Sequence, residues 1–340
     1  MTRRPILVLA ALGLASGLLV GCGSSDASGG GGGSEGGDEL RPFEVVLDWT
    51  PNTNHAGMYL AKANGWYEDA GLDVTFVEPG EAGSLQALAA GKGDVAVSVQ
   101  EELIPARAAG LPVQSVAAII QHNTSSLVSL ADDGIERPKD LEGKTYGGYG
   151  GQLEQALLAK LVSCDGGDPE SVKSVDVGEA DYRIGLERNQ YDVVWIFDGW
   201  DGIRLEQEGV DTNTIPFIDH EDCIPDWYTP LLATSEDVEQ DRADDLTAFL
   251  DATSRGYQAA MEDPDAAADA LLDQADDLDP ELVRASAEYL STRYAEDPAA
   301  WGQQEASVWD GFADFLLEAG LIDQPIEVDQ AWTNEFLPTP

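Results

Sequence analysis

The stretch "FEVVLDWTPNTNHAGMYLAKANGWYEDAGLDVTFV", residues 43 to 77, decides the architecture. "FEVVL" reads as a strand and "LDVTFV" (72 to 77) as a second one, while the segment from about Asn54 to Asp69 carries its apolar residues at helical spacing. A strand, a helix and a strand in so short a span make a βαβ unit, which implies a parallel sheet. The turn joining the first strand to its helix, "DWTPNTNHAG" (48 to 57), crowds an acid, an indole, a proline, two asparagines and a histidine together, and none of them extends a core.

Outward from that unit the alternation continues. Helix "SLQALAAG" closes at Gly91, strand "DVAVSV" (94 to 99) follows, then helix "EELIPARAAG" and strand "VQSVAAII". Near "SLVSLADDG" a second block of the same kind begins, with "KTYGGY", a helix over 152 to 163, a strand over 172 to 177, a helix over 180 to 188 and strand "DVVWIF" (192 to 197). The strand-like "PLLATS" (230 to 235) precedes a C-terminal segment that is almost entirely helical. The pattern predicts a two-lobed α/β protein, with residues 42 to 130 plus 230 to 340 as one lobe and 131 to 229 inserted as the other. A ligand cleft is expected between them.

Toward the N-terminus, "MTRRPILVLAALGLASGLLVGC" has a basic start, an apolar run and small residues before Cys22. It reads as an export signal over residues 1 to 21 whose "LVGC" resembles a lipobox, with Cys22 lipidated; Arg3 and Arg4 leave Sec and twin-arginine export both open. Residues 22 to 41 then form a Gly, Ser and acid tether with a reach of roughly 20 to 25 Å. The expected location is extracytoplasmic, anchored to the cell membrane through lipid.

Acids outnumber bases 64 to 18, a formal charge of −46 over 340 residues, and 6 of the bases are lysines. The excess acid is spread over every predicted helix, as on a surface solvated for high salt, and it excludes nucleic acid as a partner. Beyond Cys22 only Cys164 and Cys223 remain, and export permits either a disulfide between them or two separate buried thiols.

Several catalytic signatures fail. "GKT" (143 to 145) has Pro138 where a phosphate loop needs glycine, and Leu153 stands in the last glycine position of the "GGYGG" run. His55, His122 and His220 are far apart, and no metal spacing occurs, so neither a metal, a cofactor nor a catalytic residue is expected. Aromatic and polar residues gather instead at strand ends, where open α/β sheets bind ligands. Trp49, Tyr149, Trp195 and Tyr228 offer stacking faces; Asn54, His55, Gln100, Glu101 and Glu154 offer hydrogen bonds to a flat heterocycle. Each has a plainer role available. Asn54 suits a helix N-cap, Glu154 suits a helix first turn, and Trp195 lies on an apolar strand. Trp66, Trp301 and Trp309 read as core.

The segments "LDWTPNTNHAGMYLAKANGWYEDAGLDV", "GKGDVAVSVQEELIPARAAGLPVQSVAAIIQHNTS", "YTPLL" and "WTNEFLP" resemble the exported substrate-binding proteins of ABC importers in the thiamine-pyrimidine group, over most of residues 43 to 340. The resemblance implies a two-lobed fold of the type II periplasmic-binding-protein kind and a hinged, monomeric receptor for a formylaminopyrimidine-like ligand that docks on an ABC permease, with riboflavin, another flat ring or a sulfonate as alternative ligands. The same group contains a pyrimidine synthase that consumes a lysine-bound pyridoxal phosphate and a histidine. At its lysine and histidine positions this chain has Ser98 and Glu102, and "IPDWYTP" stands near the place of its cysteine-rich iron motif. The resemblance therefore implies a binding protein, not an enzyme.

Overall fold

In the computed structural model, which describes residues 39–178 and 181–339, strand β1 (Arg41–Val46) leads through the quoted turn into α1 (Ala56–Ala63) and α2 (Trp66–Asp69). The signal segment, Cys22 and most of the tether lie outside the described residues. The single helix expected over 54 to 69 is interrupted. A 3₁₀ turn, Thr53–His55, starts it, and Gly65 breaks it by taking a left-handed conformation at φ 70° that costs glycine nothing. The chain continues through β2 (Leu72–Val77), α3 (Ser84–Ala89), β3 (Val95–Ser98), α4 (Gln100–Ala108) and β4 (Val113–Ala118). It then enters β5 (Ser125–Leu130), β6 (Thr145–Gly148), α5 (Gln152–Cys164), β7 (Lys173–Asp176), α6 (Tyr182–Glu187), β8 (Val193–Phe197), α7 (Ile203–Gln207) and β9 (Thr212–Pro216). Strand β10 (Leu231–Ser235) and helices α8 (Glu236–Asp241), α9 (Ala243–Glu262), α10 (Pro264–Gln274), α11 (Pro280–Ser291) and α12 (Ala306–Glu318) complete it.

Two five-stranded sheets result, ordered β2-β1-β3-β10-β4 and β7-β6-β8-β5-β9. Both are mixed, which corrects the expectation of parallel sheets. β10 runs antiparallel between β3 and β4, and β5 runs antiparallel between β8 and β9. These are the strands by which the chain re-enters one sheet and first enters the other, so no crossover helix sets their direction. The sheet changes between Ala118 and Ser125, a few residues before the crossing expected near 130, and again between Pro216 and Leu231. The short strand β9 escaped the sequence reading because "TNTIP" lacks a continuous apolar face.

The first sheet is buried by the long C-terminal helices. Phe43 stacks on Phe249 at 4.7 Å, and Tyr257 on Trp301 at 4.3 Å. Trp301 and Trp309 are core as expected, while Trp66 is half-buried beneath the Arg255 guanidinium at 3.9 Å. The edge of β4 is covered by the chain's last segment, where Ser115 N–H donates to Ala331 and Thr333 N–H to Ser115, at 2.8 and 2.9 Å. No helix of the described residues is long and apolar enough to cross a membrane.

Cys164, at the end of α5, is bonded to Cys223 in the segment that returns to the first lobe, with Cα atoms 5.8 Å apart. The link closes a loop of 59 residues in sequence separation. In the chain-entropy model its loss costs about 4 kcal/mol. Reduction, or the pair Cys164→Ala and Cys223→Ala, is expected to lower the urea midpoint accordingly; an unchanged midpoint would show that the crosslink restrains nothing in the unfolded chain.

Candidate ligand-binding site

The turn at 48 to 57 is built to be rigid. Asn52, not Asn54, is its cap: the Asn52 side chain accepts from Asn54 N–H at 2.9 Å, and Asn52 N–H donates to His55 Nδ1 at 3.2 Å. A ring nitrogen that accepts is unprotonated, so the imidazole proton sits on Nε2 and is donated to Asp48 Oδ1 at 2.8 Å. Two of its carbonyls are taken by tyrosines of the C-terminal segment. Tyr294 OH donates to Thr53 O and Tyr257 OH to Asn54 O, both at 2.6 Å.

Beyond this turn lies a cleft of about 590 Å³ at the carboxyl ends of β1, β3, β4, β6 and β8. Asp48, Trp49, Thr53 and Asn54 form part of its first-lobe wall. Thr124, Thr229 and Pro230, from the two crossings, lie at its base. Tyr149, Tyr182, Phe197, Trp200 and Asp201 come from the second lobe. Three of the large exposed hydrophobics of the described residues meet here: Trp49 at 55%, Tyr149 at 61% and Phe197 at 41%. Aromatic surface left to water in a concave site is what a flat ligand ring covers.

The nine residues expected to bind divide sharply. Trp49, Asn54 and Tyr149 line the cleft. The other six lie behind its surface. His55 is fully buried and acts on Asp48. Gln100 is fully buried because it clamps the return crossing: its Oε1 accepts from Tyr228 N–H at 2.8 Å, and its own N–H donates to Tyr228 O at 3.0 Å. Tyr228 packs inside near Trp309, and its hydroxyl accepts from Glu305 N–H at 2.8 Å. Burial pushes that phenol up to about 12.

Glu154 is consumed by the glycine loop, where Oε1 accepts from Tyr146 OH and Tyr149 N–H and Oε2 from Gly151 N–H. Two glycines of this loop admit the protein's own side chains. A Cβ on Gly147 would lie 2.6 Å from the Tyr191 ring, and one on Gly148 2.4 Å from that of Tyr146. Trp195 is set edge-on to Phe217 and Trp227, at 5.0 and 6.2 Å between centroids. Glu101 has an Oε2 closed off from solvent with no hydrogen-bond partner in the described residues, and burial pushes the group up to about 8.

The sequence reading missed Asp48, Tyr182, Phe197, Trp200 and Asp201. Phe197 could have been found, because alternation puts it on the same strand face as Trp195 but at the carboxyl end, where that face leaves the core. Asp201 and Trp200 sit in a single π-helical turn, Asp198–Gly202, which no periodicity announces. Burial raises Asp201 to about 6, whereas the cleft's guanidinium groups are already engaged: Arg183 with Glu208 at 2.9 Å, Arg204 with Glu208 at 3.5 Å and Asp181 at 3.7 Å. Asp48 and Asp201 have no arginine or lysine within ion-pair distance among the described residues. The site can therefore stack a flat ring and accept hydrogen bonds from it.

The model of the family "NMT1/THI5 like" matches residues 52–267. A formylaminopyrimidine-binding protein of Halalkalibacterium halodurans is 30% identical over 305 residues, covering 87% of this chain and 91% of that one. A 4-amino-5-hydroxymethyl-2-methylpyrimidine phosphate synthase of Legionella pneumophila is 24% identical, with coverage of 86% and 92%. The riboflavin-binding protein RibY of Chloroflexus aurantiacus is 26% identical, with coverage of 88% and 87%. Among solved structures, the periplasmic aliphatic sulphonate binding protein SsuA of Escherichia coli superposes with a TM-score of 0.68 at 17% identity, over 88% of this chain and 94% of that one. The ligand binding component of an ABC-type import system from Staphylococcus aureus gives 0.66 at 15%, over 87% and 98%.

His55 carries the turn, so His55→Ala should remove buried volume and two hydrogen bonds together. The expected loss is about 2 to 4 kcal/mol of unfolding free energy, measured by urea titration. A parent-like midpoint would mean that the cap and the tyrosines hold the turn without the ring.

Proposed function

Since the chain belongs to the NMT1/THI5-like family, we propose that it is an extracytoplasmic solute-binding lipoprotein of an ABC importer. It captures a thiamine-precursor pyrimidine of the formylaminopyrimidine kind and delivers it to a membrane permease, acting as a monomer held to the membrane through Cys22. The observation that carries this reading is the pairing of exposed aromatic faces from opposite lobes, Trp49 and Tyr149, with the carboxyl groups of Asp48 and Asp201. An aminopyrimidine presents a flat ring to the first pair and N–H donors to the second. Asn54 serves the ring's acceptors. His55 works through Asp48, and Gln100, Glu101, Glu154, Trp195 and Tyr228 hold the walls in place.

Binding without catalysis is the better reading because the synthase chemistry lacks its lysine. Ser98 occupies that position, and no lysine is among the residues lining the cleft. A sulfonate suits the site poorly, since four carboxyl groups (Asp48, Asp181, Asp201, Glu208) outnumber two guanidinium groups (Arg183, Arg204) around it. Riboflavin stays as the second reading on one observation: about 590 Å³ is more than a single pyrimidine ring fills.

A thermal-shift comparison separates these ligands. Formylaminopyrimidine at 100 times its dissociation constant should add about 2.7 kcal/mol of stability, riboflavin and alkylsulfonates much less. Trp49→Ala should weaken binding about tenfold. A shift with riboflavin alone would replace the pyrimidine assignment, and a Schiff-base absorbance on adding pyridoxal phosphate would replace the receptor by an enzyme.

Asp201 gives the binding a pH dependence. Its folded-state pKa is raised to about 6 by burial, so the carboxylate that accepts from the ligand is lost as pH falls through 6. Affinity for formylaminopyrimidine should fall between pH 7 and 5, and Asp201→Asn should flatten the part of that profile not owed to the ligand's own protonation. For stability the sign is opposite. The folded state holds this proton more tightly than the unfolded chain, so the group's contribution declines as pH rises from about 4 through 6.

A further inference from the structure

Helix α11 touches both lobes, and its buried Ser286 sits where they meet. Ser286 Oγ donates to the carbonyl of Gly199, in the π-helical turn of the second lobe. A serine hydroxyl has one proton, and with that proton committed its oxygen can only accept from Thr53 Oγ1, 2.5 Å away in the first-lobe turn. The chain thus has one direction, from the Thr53 hydroxyl through Ser286 to the Gly199 carbonyl. Both of its ends line the cleft, on opposite walls, while Ser286 itself does not.

The packing around this chain is shaped for close approach. A Cβ on Gly199 would lie 3.0 Å from Tyr289 and 3.1 Å from Leu290, so the absence of a side chain lets the turn settle on the helix. Trp200, next in the turn, packs into the apolar cluster that includes Leu271 of α10 and Val283 of α11. One turn nearer the start of α11, Gln207 Nε2 donates to Glu281 O at 3.2 Å.

We propose that Ser286 is a positioning residue for ligand capture: it latches the two cleft walls to each other through Thr53 and Gly199 and makes no contact with the ligand. The proposal rests on the receptor reading. When the lobes part, water reaches the Thr53 hydroxyl and the Gly199 carbonyl and replaces the lost bonds; when they meet, only Ser286 can. Removing its hydroxyl therefore penalises the closed state alone, and ligand affinity falls with the closed fraction.

The test uses the full chain with dyes on Asp73 and Lys173, exposed positions on outer strands of the two sheets. Energy transfer between the lobes is read in the absence of ligand, and affinity is measured for formylaminopyrimidine. Ser286→Ala is expected to lower the transfer and to weaken binding about tenfold. Thr53→Val added to it should lower the transfer little further, because both break one chain. Gln207→Ala, at an exposed position, should shift both readings in the same direction by less, and it keeps the test decisive if Ser286→Ala does not fold. Variants that melt earlier yet keep parental transfer and affinity would overturn the latch and leave α11 as fixed packing. If formylaminopyrimidine fails to bind the parent chain, the ligand assignment falls, and the transfer measurement still decides the latch.

Discussion

The site depends on how closely two helices approach. A Cβ on Gly57 of α1 would lie 2.4 Å from the Tyr257 ring, and one on Gly256 of α9 would lie 2.1 Å from the Gly57 carbonyl oxygen. With hydrogen at both positions, α1 and α9 cross with backbone nearly on side chain. That proximity brings Tyr257 under the turn before α1, where its hydroxyl meets Asn54 O, and Tyr294 reaches Thr53 O from the turn that follows α11. A turn with a proline and the buried polar residues Asn52, Thr53 and His55 would otherwise leave carbonyls unpaired in the core, at a cost of a few kcal/mol. The helical C-terminal segment is thus part of the site's foundation, although it contributes little to the cleft surface.

Much of the fold was legible because hydrophobic periodicity is local. β2 alternates between buried and exposed along "LDVTFV", and β3 and β10 are buried throughout, as central strands must be. Strand direction was not legible, since it is set by how the chain returns to a sheet and not by any residue within the strand. The break at Gly65 was visible as a residue but not as an interruption, because a glycine in a helical pattern costs only about 1 kcal/mol and is often tolerated.

The lining of the cleft was legible by segment and less so by residue. "DWTPNTNH", "YGGYGG" and "WIFDGWD" all reach the cleft, yet within each the side chain that faces it was decided by packing. In the first, Trp49 faces the cleft and His55 turns inward to hold Asp48; in the last, Trp195 stays with the core while Phe197, Trp200 and Asp201 emerge. Gln100 and Tyr228 were plausible ligand groups by type. They are spent on each other because the crossing that joins the lobes is buried, and a buried backbone must find partners for its N–H and C=O groups wherever the chain offers them.

The same accounting bears on what the cleft recognises. Its arginines are already answered by Glu208 and Asp181, so they add no free positive charge, whereas Asp48 and Asp201 are oriented by His55 and by Phe197 N–H and still present oxygen to the cavity. A fold shared with a sulphonate binder therefore does not carry over its ligand, because charge at the wall is chosen independently of the sheets that support it. On a chain with a formal charge of −46, an anionic ligand would also meet a repulsive field on approach, while a neutral or protonated donor-rich ring would not. On the proposed receptor reading, surface charge and cleft charge favour the same class of ligand, the first through the rate of encounter and the second through the contacts made in the cleft.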